Sequence, residues 1–202
     1  MGETKQMIKL KDILMERVSD VVYHFTTTEA AGYIIDTNRF RLQPIPVETN
    51  VDPGRKYDEG YYMSVARTKV EAYTKNAPSS RCYFVRFELD GTKLGNRYKG
   101  GAYNYYHGKH GDDEYEEYED RIYSKTSVIP NAKDYIKRMD LDVSRKCPMG
   151  FNTKTLIEIA TRANVPTFLF PSRDKWSQQS GGVEVKNVKE YEQILATMKQ
   201  GM

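Results

Sequence analysis

The chain has 202 residues, of which 39 % are hydrophobic, 29 % charged and 12 % aromatic. This composition supplies a core and excludes a disordered or collagen-like polymer, and the length suits one domain. Thirty-one basic against 28 acidic residues leave a net charge of +3, too balanced to argue for nucleic acid by itself.

No run approaches the roughly 20 apolar residues that span a bilayer, so a membrane protein is not expected. Charges threaded through residues 1–20 are unlike a signal peptide. Two cysteines, Cys82 and Cys147, are too few for a disulfide framework and suit a reducing cytoplasm.

Along the chain, Ile8, Leu10, Ile13, Leu14 and Val18 fall near helical spacing and predict an amphipathic helix over 5–18. The β-branched and aromatic run VVYHFTT (21–27) predicts a buried strand, and Thr27 or Thr28 then caps a short helix ending at Asn38. FRLQP (40–44) reads as a short strand closed by Pro44, and Pro46 with the DPG turn at 52–54 marks a loop over 45–60. YYMSV (61–65) predicts a strand followed by a helix over ARTKVEAYTKNA. CYFVRFELD (82–90) alternates most clearly and ends in the turn signal Asp90-Gly91. After a glycine-rich and acidic loop, RIYSK (121–125) reads as a strand, IPNAKDYIKRM as a helix entered past Pro130, and MDLDV (139–143) as a strand. A helix over 153–165, a strand over 166–171 and a helix over 187–199 complete the reading. We find no internal repeat, and expect one mixed α+β domain over 1–202 with an N-terminal helical segment (1–19) and a helix–strand–helix extension (144–202).

Charge is unevenly placed. Residues 112–120 read DDEYEEYED, whereas 81–109 carry six basic residues (Arg81, Arg86, Lys93, Arg97, Lys99, Lys109) against Glu88 and Asp90. A run of like charge ordinarily forms a solvated loop. Sixteen tyrosines are many for this length, and Tyr98, Tyr103, Tyr105 and Tyr106 lie in the basic stretch NRYKGGAYNYYHGKH. Aromatic and basic residues interleaved in this way hold bases by stacking and charge; the alternative is a loop that covers the core.

Several chemistries are excluded by their motifs. There is no GxGxxG after a strand, no Walker A sequence, no GxSxG elbow and no HxE with PCxxC. His107 and His110 have metal-like spacing but no companion ligands, so no metal is expected. Three elements at strand ends remain. His24 stands inside an apolar strand: either a satisfied core residue, or one with a ring nitrogen held by backbone and the other donating to a ligand hydroxyl. Tyr61, Tyr62, Ser64 and Arg67 bring aromatic, hydroxyl and guanidinium groups to a strand-to-helix junction, where packing and capping are the plainer reading. Glu117, Glu119 and Arg121 share one face if 117–123 is extended, and are merely solvated if the strand begins at Arg121.

In this order YHFT, YYMSVARTKVEAY and EYEDRIYSKTSVIPNAKDYI resemble the three blocks of ADP-ribosyltransferase-like proteins, most nearly the DNA-modifying DarT type and tRNA-phosphotransferase relatives. The likeness covers roughly residues 20–143, and the opening MIKLKDILMER resembles small phage-encoded proteins. The resemblance implies a split, mostly antiparallel sheet flanked by helices, NAD as substrate, and transfer of ADP-ribose to a nucleic-acid base or protein side chain. It assigns Glu119 to the nicotinamide ribose, with Glu117 as the competing carboxylate, and His24 with Thr26 to the other ribose. Tyr61 or Tyr62 would stack on nicotinamide, Arg67 would pair with pyrophosphate, and Ser64 would support the glutamate. Lys99, Tyr103, Tyr105 and Tyr106 would meet the acceptor. The alternative is a protein that keeps this fold without the chemistry, as a virion or regulatory component.

Overall fold

The structure, a computed structural model, describes residues 18–45, 60–67, 84–102, 119–144, 152–171 and 181–200. Strand β1 (Val21–Thr26) leads into helix α1 (Thr28–Thr37), where the Thr27 side chain accepts the Ala30 N–H at 3.2 Å. That bond satisfies one of the amides a helix start leaves open. Asn38 ends α1 in the left-handed region (φ 55°), a conformation asparagine tolerates. Ala31, Ile34 and Ile35 are buried on one face of α1, the spacing of a core-facing helix.

Residues 39–44 form two elements where the sequence predicts one. Strands β2 (Arg39–Arg41) and β3 (Gln43–Pro44) join different sheets, because the Leu42 amide turns aside to the Ser127 carbonyl at 2.9 Å. Strand β4 (Tyr61–Ala66) follows. The helix predicted after it lies mostly outside the described residues, but Ala66 still belongs to the strand.

Strand β5 (Val85–Asp90) runs directly into helix α2 (Gly91–Arg97), where the sequence predicts a turn and loop. Asp90 is an N-cap, its carboxylate accepting the Lys93 amide at 2.9 Å, so the Asp-Gly pair starts a helix. Gly91 permits this start. A Cβ there would lie 1.8 Å from the Ser19 carbonyl oxygen, so the two backbones approach as only glycine allows.

Strand β6 (Lys99–Ala102) is likewise a strand where a loop is predicted. Strands β7 (Glu119–Ser124) and β8 (Val128–Pro130) precede a single 3-10 turn at Ala132–Asp134, and β9 (Ile136–Asp142) follows. The helix predicted past Pro130 is therefore not formed. Ile136 and Met139 mimic helical spacing, but the residues pair in extended register with β5. Helix α3 (Thr153–Arg162), strand β10 (Thr167–Phe170), strand β11 (Val183–Val185) and helix α4 (Val188–Gln200) complete the described chain.

The architecture is mixed, with a mostly antiparallel nine-stranded sheet ordered β11-β10-β9-β5-β1-β4-β7-β6, β3 pairing with β4. A small second sheet joins β2 to β8. Among the described strands only β9 and β10 run parallel, and β10 and β11, from the segment read as an extension, belong to the same sheet. All of β1 pairs with β5, and all of β4 with β7, yet β1 meets β4 at one residue pair, Tyr23 with Ala66.

Side chains alternate between faces along each strand, and directly paired residues share a face. Val22, Phe87, Leu89, Met139 and Leu141 accordingly form the core with the inner faces of α1 and α3. The opposite face carries ions. Arg86, fully buried, donates from Nε to Asp140 at 3.0 Å, and Tyr23 and Phe170 flank its guanidinium. Arg138 adds an Nη2 bond to Asp140 at 3.2 Å; its Nε, 3.0 Å from the other carboxylate oxygen, is not aligned to donate.

Removing one partner of such a pair strands a charge in a dry place, at a cost of about 3–5 kcal/mol. Asp140→Ala is expected to lose stability of that order in urea unfolding. The joint replacement Arg86→Met with Asp140→Leu is expected to lose far less. Equal losses would show that the charge pairing is not what matters there.

Candidate functional site

Three adjacent strands, β1, β4 and β7, carry the three blocks of the sequence reading. Tyr23, Ala66 and Glu119 occupy one row across them. Two interstrand steps separate the ends of that row, about 10 Å at the usual spacing. Strand β7 begins at Glu119 and not at Arg121, so Glu119 is placed by the ladder. Glu117, Tyr103, Tyr105 and Tyr106 lie outside the described residues.

His24 sits next to this row. Its Nδ1 lies 3.3 Å from the Ser64 carbonyl oxygen, and its ring meets Phe40 edge-on at 5.9 Å between centroids. Partly exposed yet densely surrounded by protein atoms, the imidazole is held below its ordinary pKa by burial, against a smaller upward pull from the Ser64 carbonyl. It is therefore largely neutral near pH 7. A carbonyl only accepts, so the Nδ1 must bear the proton. The Nε2 is then a lone pair. A neutral ring held in this way offers Nε2 as an acceptor and not as the donor expected from the sequence.

The expected cofactor residues divide between the two faces of the sheet. Thr26 shares the core face with His24 and is buried, while Tyr61 is half-buried against the core. Tyr62 and Ser64 face the other way, in rows with Tyr123 and Arg121, and the register position of Glu119 falls on that same face, away from His24. The Tyr62 hydroxyl donates to Gln43 at 3.2 Å, and the Arg121 guanidinium lies 4.4 Å from its ring centroid. One flat face of Tyr62 is thus already beside a cation, which a cationic nicotinamide ring would not join. Tyr61 and Tyr62 also stand four or five residues from Ala66, at least 13 Å along the strand by its rise. Ser64, two residues from Ala66, is nearer. Lys99 lies in edge strand β6, exposed and paired in register with Tyr123.

Arg67 closes β4. Its Nε donates to Asp120 Oδ1 at 2.6 Å, and the guanidinium side chain remains one-third exposed while Asp120 is fully buried. The other Asp120 oxygen accepts the Ser19 amide at 2.9 Å. Asp120 has no assigned role in the sequence analysis, because it stands within an acidic run. Its position directly before RIYS was the available signal, since a strand's second residue in such a run must face either water or the core.

Tyr23, across the row, is also buried. Burial and the Glu88 carboxylate raise its hydroxyl to about 12, with Arg86 pulling the other way, so it stays protonated. Among the described residues no group of His, Cys, Asp and Glu is arranged to hold a metal, and no helix is long and apolar enough to cross a membrane. The chain matches no family model, no curated protein and no solved structure.

A depressed folded-state pKa at His24 has a definite sign. Below pH 6.5 the unfolded chain takes up the proton more readily than the fold, so stability is lost as pH falls from there through the folded value. The slope from this one group is at most about 1.4 kcal/mol per pH unit. His24→Asn is expected to flatten that part of the stability–pH curve measured by urea unfolding. An unchanged curve would mean the imidazole titrates freely.

Proposed function

We propose that the chain is an NAD-dependent mono-ADP-ribosyltransferase that modifies a macromolecular acceptor, a nucleic-acid base or a protein side chain, on a split ADP-ribosyltransferase-like sheet. One observation carries this reading. The strands of His24 and Glu119 lie on either side of the strand that runs into Arg67, and the lone β1–β4 pair lies in the same row as Glu119. By strand alternation the register position of Glu119 lies on the face of Tyr62 and Ser64, opposite His24, Thr26 and Arg67, so a dinucleotide that met both would have to pass from one face to the other where β1 and β4 part. The single pair is also what a sheet divided at that point would retain.

The chemistry follows from the charges. Breaking the nicotinamide–ribose bond develops positive charge on the sugar, and a carboxylate beside it lowers the barrier. Glu119 takes that role, with Glu117 as the rival carboxylate. Neutral His24 accepts from a ribose hydroxyl of NAD through Nε2, and Thr26 lies on its side of the sheet. Arg67 offers a guanidinium fork to the pyrophosphate. Lys99 and the tyrosines after it (Tyr103, Tyr105, Tyr106) meet the acceptor.

The second reading, a fold-retaining protein without transfer, is favoured by the Arg121 guanidinium beside Tyr62. The two separate cleanly. With labelled NAD and separate pools of DNA, RNA and cell protein, the wild type is expected to label one pool. Glu119→Gln is expected to lower kcat about 10²–10³-fold, the scale of losing one preorganised electrostatic contact. Full transfer by both Glu119→Gln and Glu117→Gln would overturn the mechanism, and no NAD consumption by the wild type would favour the binding protein.

A further inference from the structure

We infer that Asp120 is a positioning residue for Arg67, forming with Ser19 a clamp that presents the guanidinium to the pyrophosphate of a dinucleotide. The inference rests on the preceding reading for its ligand class, but its geometry is independent of any catalytic step.

A buried carboxylate needs donors, since leaving it unsolvated and unpaired is costly. Asp120 has two, the Ser19 amide on Oδ2 and the Arg67 Nε on Oδ1. Its side chain is 0 % exposed, whereas that of Arg67 is 34 % exposed. The pair is therefore asymmetric: a dry anchor holds a guanidinium that remains in reach of a ligand. A free arginine samples many rotamers and loses them on binding, so one tethered through Nε meets an anion with that loss already taken.

The anchor is itself fixed. Residue 18 is buried, and the Asp20 carbonyl accepts the Gly91 amide at 3.0 Å while its carboxylate accepts the Thr92 hydroxyl at 2.8 Å. Ser19 thus cannot drift, and neither can the carboxylate it holds. Asp120 also follows Glu119 in the chain, so the same clamp fixes the backbone at the carboxylate assigned to the sugar.

The test is binding, measured by calorimetry with ADP-ribose and with adenosine, which lacks the pyrophosphate. Asp120→Asn keeps the shape and loses the charge. It is expected to weaken ADP-ribose about tenfold while leaving adenosine unchanged, the scale of one charge-assisted hydrogen bond. In an Arg67→Ala background the same substitution is expected to add nothing, because Asp120 acts through Arg67. Should Asp120→Asn fail to fold, Arg67→Lys keeps a cation beside Asp120 but removes the fork, and the same selective loss is expected. Equal weakening of both ligands, or additive losses in the double variant, would reduce Asp120 to a structural role and overturn the inference. A wild type that binds neither ADP-ribose nor NAD overturns it too. A wild type that binds ADP-ribose with this Asp120 dependence, yet transfers nothing, upholds the clamp and retires the transferase.

Discussion

A carboxylate without access to water has to be supplied with hydrogen-bond donors by the rest of the chain. Asp120 draws them from residues 101 and 53 positions away. That requirement joins the segment before β1, the end of β4 and the start of β7 at one point. The same three places flank the lone pair between β1 and β4 and the register position of Glu119. The part of the sheet with the thinnest backbone pairing is thereby the part with a buried ionic tie across it.

The alternation of side chains sorts the rest. On one face the sheet is apolar and covered by α1 and α3; on the other it carries Arg86, Asp140 and Arg138 among Tyr23, Phe168 and Phe170. His24 belongs to the covered face, yet its ring reaches the Ser64 carbonyl where β1 and β4 are least tied. An imidazole in that position is kept neutral by its surroundings and given a fixed tautomer by a backbone acceptor. Those two effects make it a defined acceptor.

Much of the fold was legible because local signals agreed with the tertiary outcome. The β-branched run at 21–26, the Thr27 cap, the Asn38 stop and the alternation at 85–90 all sit where their residue types predict. The misses have physical causes. Asp90-Gly91 serves equally as a turn and as a helix start, and contact with Ser19 and Asp20 chose the latter. Residues 130–138 carry helix-compatible spacing, but an open edge on β5 made extended pairing the better use of their backbone groups. Among the candidate site residues, His24 stands out in the sequence as an imidazole within an apolar strand, and Arg67 and Glu119 as charged residues beside strands. Asp120 was hidden by its acidic neighbours, and the separation of Tyr62 from His24 onto opposite faces depends on pairings between distant strands that no local pattern encodes.

The parallel join of β9 to β10 has a bearing on how the chain acquires this shape. Strand β9 offers one edge to β5, which precedes it, and the other to β10, which is synthesised some 25 residues later (about 1–5 seconds at roughly 5–20 residues per second). Until β10 arrives, a nascent molecule would show an unsheltered strand rim with Met139 and Leu141 close behind it. Assembly of the sheet therefore ends at the flank opposite Glu119, and any self-association of newly made chains would begin from that temporary margin.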